Sequence, residues 1–451
     1  MAPGTGAARP RRGRGRQHGA RRISAPHLSY RHNDKPTPSK RKQARTASHT
    51  GALSDPRKHG LVENGGQLPG GDRLRNLTPM GVKAAARELG RQVGEMGDPA
   101  RVAGRAGAGG GAQADIVITA PGDGARRLGV MENMRVRDVS FSNGTVELAG
   151  SLSVPAGADL VVAGVVLVGG SGPTDRDNGT YFPPFQQHLV KAGFAVLAYD
   201  KRGVGQSTGD WRTATMDDLA ADAVTALSFL RAQPEVHPQT AGLFGHSEGG
   251  WVALRASAAQ DDLPWVVTNS CPGTSPAEQE RYALANHLRG LHGDGHPEIH
   301  STLTLYDQLT EAGRRNADFT TAQQLVDDAG APLGLAYYWG DVDERLWEFL
   351  KRKQDHDPIP DLLQLRCPHL ALFGGADETV PVADSIRIFA ESACASARPP
   401  RATLTVEVFP GGDHRLQVQG STDPTPGYLD KVSRWLAHHA TPAHGQLGAA
   451  R

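Results

Sequence analysis

Short apolar runs that alternate with helical patterns constrain the fold of this 451-residue chain more than any other feature. Residues Leu160–Val168 are nearly all apolar, which is typical of a strand buried on both faces of a parallel sheet. The rhythm continues almost to the end of the chain and predicts an α/β fold with a doubly wound, mostly parallel sheet. Further strands are expected at Phe194–Tyr199, Ala241–Phe244, Trp265–Thr268, His369–Phe373 and Thr403–Phe409, and helices at Met216–Gln233, Glu248–Ala259, Val382–Ser392 and Gly427–His439.

The segment before the first buried run has the pattern of a β-hairpin. Apolar residues alternate in Val136–Phe141, Asn143-Gly144 is a turn signal, and Thr145–Val154 supplies the returning strand. We therefore expect the folded domain to cover residues 131–440.

The strand and helix rhythm is interrupted at residues 272–366. Polar helical patterns occupy Glu278–Leu291, Ser301–Arg315 and Val342–Arg352 in this stretch, and no strong strand pattern accompanies them. A helical block inserted into an α/β core predicts a cap over the sheet.

Both ends of the chain have the composition of disordered tails. Residues 1–130 are rich in Arg, Gly, Pro and Ser without apolar periodicity, and they cannot bury enough surface to offset their ordering entropy. The same is expected of residues 441–451. Residues 1–75 hold 17 Lys and Arg against 4 Asp and Glu, in a chain of net charge +1. Nucleic-acid binding or a transit peptide fits that charge, but we favour a dispensable tail or a later start at Met131 or Met134.

The cysteines and the lack of long apolar runs indicate the cellular compartment in which the protein is expected. Cys271, Cys367 and Cys394 are an odd, widely spaced set without a CxxC pair, which argues against a disulfide framework or a cysteine-rich zinc site. No apolar run reaches the roughly 20 residues of a membrane helix, and no secretory signal pattern opens the chain. We expect a soluble, cytoplasmic protein.

Two serines lie in G-x-S-x-G patterns, at Ser247 and Ser207. A nucleophile elbow requires a strand that runs directly into a helix, so that the serine sits on a strained turn above the sheet. Ser247 has this context, because the strand pattern ends just before it and Trp251-Val-Ala-Leu254 follows at helical spacing. Ser207 lies in a polar stretch and is expected to serve loop structure. Ser247 is therefore the predicted nucleophile.

A serine hydroxyl needs a general base, and the base needs a carboxylate that fixes its tautomer. When a nucleophile elbow is present, the acid and then the histidine follow the serine, each after a strand. Asp377 follows the strand His369–Phe373, and His414 follows Thr403–Phe409. Glu378 is the chief rival of Asp377, and Asp413 is expected to cap its own loop.

Acyl transfer also needs donors for the negative oxygen that develops in the transition state. One predicted donor is the backbone N–H of Glu248, which immediately follows the nucleophile. The second is expected from the glycine-rich loop after Leu160–Val168, at the N–H of Ser171, with Gly170 as the close runner-up.

These segments together resemble the α/β-hydrolase superfamily. The likeness is greatest to esterases and serine-aminopeptidase-like members with the loop Gly-Ser-Gly-Pro-x-Asp-Arg-Asp, which here spans Gly170–Asp177. Asp200–Ser207 looks like the loop after the family's fourth strand, and Gly245–Gly249, Gly374–Pro381 and Gly412–His414 match the three triad regions. The resemblance covers about residues 134–440 and implies no metal or organic cofactor.

Several weaker signals favour structural roles. Gly203-Val-Gly205 lacks the third glycine and the helix of a dinucleotide-binding loop. His292, His296 and His300 have the spacing of metal ligands, but the glycines and Pro297 between them break a helix, which favours a solvated loop. The aromatic residues Tyr337, Tyr338, Trp339 and Trp347 are expected to pack rather than line an acyl pocket, and Asp175, Arg176 and Asp177 are expected to pair within their loop.

The expected reaction is hydrolysis of a small carboxylic ester through an acyl intermediate on Ser247. Amide and thioester cleavage by the same three residues remain open, because the pocket selects the leaving group. A non-catalytic binding protein on this fold is the remote alternative. Neither a nucleic acid nor a membrane is an expected partner, and the oligomeric state is open.

Overall fold

The computed structural model describes residues 129–131, 134–157 and 161–440. The tails expected at residues 1–130 and 441–451 lie outside the described residues, apart from residues 129 and 130. The sheet begins at Gly129, two residues before the start expected for the folded domain. Leu160, the expected start of the first buried strand, also lies outside the described residues.

The described residues form one mixed sheet of nine strands in the order β1-β2-β3-β5-β4-β6-β7-β8-β9. The first three strands and β5 pair antiparallel, and every later pairing is parallel. The α/β-hydrolase fold expected from the sequence is therefore confirmed. The strands are β1 Gly129–Met131, β2 Met134–Asn143, β3 Val146–Pro155, β4 Ala163–Val168, β5 Phe194–Tyr199, β6 Gly242–His246, β7 Val266–Asn269, β8 His369–Gly374 and β9 Leu404–Phe409.

Helices cover both faces of the sheet. In the described residues they are α1 Phe182–Lys191, α2 Met216–Arg231, α3 Glu248–Ala258, α4 Pro276–His292, α5 Pro297–Arg314, α6 Phe319–Asp328, α7 Ala336–Trp339, α8 Glu344–Lys353, α9 Ile359–Gln364, α10 Val382–Ala393 and α11 Tyr428–His439.

The side chains of β4 show how the two faces are built. Val165 and Leu167 pack with α1 and α11, whereas Val166 and Val168 point to the opposite face and pack with α2 and α3. All four side chains are buried, because alternate residues of a strand point to opposite faces of its sheet. This two-sided burial explains the apolar run that first indicated a parallel sheet.

Helix α1 was not expected from the sequence. It begins Phe182-Pro-Pro, and prolines at its first positions are tolerated because those N–H groups have no acceptor within the helix. The prolines mask the apolar spacing of Phe182, Phe185 and Leu189, which are all buried.

The segment from residue 272 to residue 366, here called the helical insertion, is described throughout. It contains helices α4 to α9 and no strand, as expected. Leu284, Leu309, Trp339 and Trp347 belong to an apolar cluster of its own. The insertion therefore holds its own core beside that of the sheet.

None of the described helices is both long and apolar enough to cross a membrane. The three cysteines are free thiols; Cys271 and Cys367 are buried, and Cys394 is exposed.

Candidate active site

Ser247 lies on the tight turn between β6 and α3. Its backbone has φ 55° and ψ −123°, a strained conformation for a residue with a side chain. The flanking glycines make the turn possible, since a Cβ on Gly245 would lie 2.0 Å from the carbonyl oxygen of Gly249, and one on Gly249 would lie 2.3 Å from that of Val168. The G-x-S-x-G pattern here is a steric requirement.

The structure brings His414 and Asp377 to this serine. His414 Nε2 lies 3.0 Å from Ser247 Oγ, and His414 Nδ1 lies 2.9 Å from Asp377 Oδ2. Asp377 is on the loop after β8, and His414 is on the loop after β9. The side chain of Asp377 is fully buried, whereas that of His414 is 23% exposed and so open to a ligand.

Asp377 is held so that one oxygen faces the histidine. Its Oδ1 accepts the backbone N–H groups of Thr379 at 2.8 Å and Val380 at 2.9 Å. The remaining oxygen accepts the Nδ1 proton of His414, which leaves Nε2 unprotonated and able to accept the Ser247 proton. The arrangement selects one tautomer of the imidazole.

A second histidine lies beside this group. The ring of His246 is 5.1 Å from that of His414 and 4.8 Å from that of Tyr181. Burial lowers the pKa of His246 well below its usual value, and the charges of His414 and Arg415 lower it further. His246 therefore adds an aromatic wall to the site and no charge.

The two expected oxyanion donors lie on segments that adjoin Ser247. Glu248 is the first residue of α3, so its backbone N–H has no acceptor within the helix. The loop after β4 passes so closely that a Cβ on Gly170 would lie 3.4 Å from Ser247 Cβ. Ser171 follows in that loop. Both residues therefore lie on segments next to Ser247, and their role as oxyanion donors stays a prediction.

Ser207, the serine of the second G-x-S-x-G pattern, is tied into the backbone. Its buried Oγ donates to the carbonyl of Asp200 at 2.7 Å and accepts the N–H of Ala149 at 2.9 Å. This hydroxyl therefore joins β3 to the loop after β5.

Ser207→Ala is expected to lower the free energy of unfolding by about 1–3 kcal/mol, because two buried backbone groups each lose a hydrogen bond. Labelling of the protein by a serine-reactive phosphonate should be unchanged. Denaturant unfolding and gel labelling measure the two effects, and loss of labelling in a folded variant would contradict the structural assignment.

The rivals for the acid lie elsewhere. The side chain of Glu378 is exposed, and its backbone carbonyl accepts the amide of Asn286. Asp413 Oδ1 accepts the N–H groups of Arg415 at 2.8 Å and Gln417 at 2.9 Å, so it caps its own loop.

Sequence reasoning missed a buried charged group beside the nucleophile. The fully buried carboxylate of Glu248 accepts Lys201 Nζ at one oxygen and Lys353 Nζ at the other, each at 2.9 Å. Burial by itself would raise the pKa of Glu248, but the two ammonium groups outweigh it and lower the pKa to about 2. Burial lowers the pKa of Lys201, and Glu248 opposes that change. Lys201 follows β5 and Lys353 ends α8. Both are far from Glu248 in the sequence, so no local pattern predicts these contacts.

Glu280, on α4, was also missed. Burial raises the pKa of this carboxyl, and the charges of Lys353 and His414 oppose the rise. Within the described part of the chain it makes no hydrogen bond or ion pair. Glu280 is thus an unpaired carboxyl of the helical insertion within electrostatic reach of His414.

Arg176 does not pair within its own loop, contrary to expectation. It contacts Asp200, on the loop after β5, at 2.8 Å and Asp138, on β2, at 3.1 Å. Asp175 instead accepts the backbone N–H of Asp177. The carboxylate of Asp200 also fills the space beside Gly205, where an added Cβ would lie 2.5 Å from Asp200 Oδ2.

The histidines of the helical insertion do not lie on one helix. Helix α4 ends at His292 and α5 begins at Pro297. Ligand atoms of His292, His296 and Glu298 lie within 4.8 Å of one another, so these three, and not His300, form the group among the described residues that could hold a metal ion. His296 Nδ1 already accepts the N–H of Glu298, which caps α5.

The aromatic residues of the insertion contribute mainly to its core. Trp339 and Trp347 are buried with ring centroids 5.5 Å apart. Tyr338 packs on Tyr306 at 4.8 Å, and Tyr337 stacks on His287 at 4.3 Å.

The sheet order and the serine on the turn after β6 define an α/β hydrolase. Residues 165–418, more than half of the chain, match the family described as serine aminopeptidase, S33. The chain belongs to that family.

Individual relatives match with low identity. An uncharacterized protein of Pseudomonas aeruginosa is 30% identical over 140 residues, which are 30% of this chain and 36% of the relative. A proline iminopeptidase of Levilactobacillus brevis is 24% identical over 306 residues, covering 61% of this chain and 88% of that protein. A solved esterase structure from Pyrococcus furiosus has a TM-score of 0.46 at 19% identity, covering 68% of this chain and 91% of the other. The match therefore spans little more than a third of the Pseudomonas protein.

Proposed function

We propose that this protein is a serine hydrolase that cleaves carboxylic esters, with Ser247, His414 and Asp377 as its catalytic triad. The observation that carries the proposal is the unbroken chain of contacts from Asp377 Oδ2 to His414 at 2.9 Å and from His414 to Ser247 Oγ at 3.0 Å. Family membership supports the same chemistry.

The reaction takes two steps. Ser247 Oγ attacks the acyl carbon while His414 Nε2 takes its proton, and the buried charge of Asp377 stabilises the resulting imidazolium. The N–H groups of Ser171 and Glu248 bind the oxyanion. His414 then gives its proton to the departing alkoxide. In the second step His414 takes a proton from a water molecule that attacks the acyl carbon, and it returns this proton to Ser247 Oγ as the acid departs.

A fluorophosphonate probe tests this proposal directly, because it phosphonylates an activated serine. We expect stoichiometric labelling of the folded protein, with the adduct mapped to the peptide that contains Ser247 by mass spectrometry. A panel of p-nitrophenyl esters then defines the acyl length. Failure of the folded protein to label, or an adduct on Ser207, would refute the proposal.

Amide cleavage next to a free amino group is the second candidate, and Glu280 favours it. The Glu280 side chain is half-buried, and a carboxyl that loses part of its water without gaining a partner is destabilised unless a ligand supplies one. A substrate ammonium would supply one, and its charge would hold Glu280 ionised despite its raised pKa. The helical insertion would then act as a cap that recognises the amino end.

Glu280→Gln separates the two candidates. If a substrate ammonium pairs with Glu280, the variant should lose about 10- to 100-fold in kcat/KM for aminoacyl p-nitroanilides. Hydrolysis of an uncharged p-nitrophenyl ester should change by less than about threefold. Equal effects on both substrates would show that Glu280 does not bind the ammonium group of the substrate.

A further inference from the structure

Lys201 contacts a peptide group that the proposed mechanism uses. Its Nζ donates to the carbonyl oxygen of Gly170 at 2.6 Å and to Glu248 Oε1 at 2.9 Å. The Lys201 side chain is 9% exposed, so water competes little with either contact. A short bond from an ammonium to a carbonyl is among the stronger hydrogen bonds of proteins.

The carbonyl of Gly170 and the N–H of Ser171 belong to the same peptide group. A trans peptide is planar, and its C=O and N–H point in opposite directions. Holding the carbonyl of Gly170 therefore fixes the direction of the Ser171 N–H, the expected oxyanion donor. The ammonium also polarises the peptide, which makes this N–H a stronger donor.

Glu248 links the two donor peptides. Its backbone supplies the other expected N–H, and its carboxylate accepts Lys201 at Oε1 and the hydroxyl of Ser171 at Oε2, the latter at 3.3 Å. The two expected donor residues, Ser171 and Glu248, are thus linked by hydrogen bonds of the Glu248 carboxylate.

Lys353 brings the helical insertion into this network. Its Nζ donates to Glu248 Oε2 at 2.9 Å and lies 5.0 Å from the ring centre of Phe349 on the same helix. Withdrawal of Lys353 would leave the buried carboxylate of Glu248 with one ammonium in place of two, and an incompletely paired buried charge is strongly unfavourable. The position of α8 is therefore coupled to the oxyanion donors.

We propose that Lys201, Glu248 and Lys353 form a positioning network that orients the Ser171 and Glu248 N–H groups and makes that orientation depend on the seating of the helical insertion. The proposal rests on the proposed function, since it assigns these residues to the oxyanion of acyl transfer at Ser247. Lys201 acts through the Gly170 peptide and Lys353 acts through Glu248, so neither touches the substrate.

Lys201→Met and Lys353→Met test the network with p-nitrophenyl ester kinetics. Loss of one oxyanion donor costs about 100- to 1,000-fold in kcat, so misorientation by Lys201→Met should cost about 10- to 100-fold, with KM changed by less than about threefold. Lys353→Met should lower kcat by about 10-fold in the same manner. Affinity for a phenylboronic acid, whose serine adduct is a tetrahedral anion, should fall in parallel with kcat.

Lys351→Met is the matched control. Lys351 lies on the same helix as Lys353, its side chain is 7% exposed, and its Nζ donates to Asn316 Oδ1 and the carbonyl of Ala317 inside the insertion. This variant should lose stability in thermal unfolding without a change in kcat beyond about twofold. If Lys201→Met does not fold, Lys353→Met carries the test, because Glu248 then keeps the Lys201 ammonium.

Three outcomes overturn the network: unchanged kcat in the folded variants, a rise in KM at constant kcat, or an equal loss of kcat in Lys351→Met. Ser247→Ala, assayed alongside, separates this failure from that of the proposed function. Activity that survives Ser247→Ala removes the triad assignment itself, whereas an inactive Ser247→Ala with fully active Lys201→Met removes the network alone.

Discussion

Ser247→Ala is expected to lower kcat/KM for ester hydrolysis by about 10⁴- to 10⁶-fold, since removal of the nucleophile of a triad costs about that much. The substitution removes an oxygen whose described side-chain contact is His414, so the variant should fold as the wild type does. Stopped-flow or long-time assays with a p-nitrophenyl ester measure the loss, and thermal unfolding checks the fold.

Ser207→Ala is the natural control for that experiment, because it removes the same oxygen from the other G-x-S-x-G pattern. Its expected phenotype is the reverse, with lower stability and normal turnover. Comparable activity in Ser247→Ala and wild type would show that Ser247 is not the nucleophile.

Asp377→Asn is expected to lower kcat by about 10⁴-fold, because the amide would hold His414 in the wrong tautomer. The N–H groups of Thr379 and Val380 require an acceptor at the Oδ1 position, which the amide oxygen must occupy. The NH₂ group then faces His414 Nδ1 and donates to it. The proton moves to Nε2, which can no longer accept from Ser247.

Glu378→Gln provides the comparison, since it changes the adjacent exposed carboxyl without altering any contact of His414. Its turnover should stay within about twofold of wild type. A large loss in Glu378→Gln together with a small one in Asp377→Asn would exchange the roles of these two residues.

Local patterns predicted much of this fold. The buried runs at Val165–Val168 and Phe194–Tyr199 became central strands because residues buried on both faces leave a continuous apolar signal. The turn at Ser247 was identified from its strand and helix context, and Asp377 and His414 from their place after strands. Parallel strands bring such loops to one edge of a sheet, and the structure joins the three side chains there. Their catalytic roles remain predictions.

Contacts between distant segments could not be predicted in this way. Lys353 lies 105 residues from Glu248 in the chain, and no periodicity relates an ammonium at the end of one helix to a carboxylate at the start of another. Arg176 was assigned to its neighbours for the same reason, although it reaches Asp138 and Asp200. Helix α1 was missed because its two leading prolines obscure a periodic apolar face.

The three free thiols differ in burial, so their rates of chemical labelling can be used to measure local opening of the fold. Cys394 is exposed and should react at once with a maleimide dye, while Cys271 and Cys367 are buried and burial raises the pKa of each. Cys271 lies against Gly250, where an added Cβ would meet its Sγ at 2.6 Å, just beyond the turn that carries Ser247. The rate of dye attachment at Cys271 would therefore measure how often that turn opens locally in the native protein.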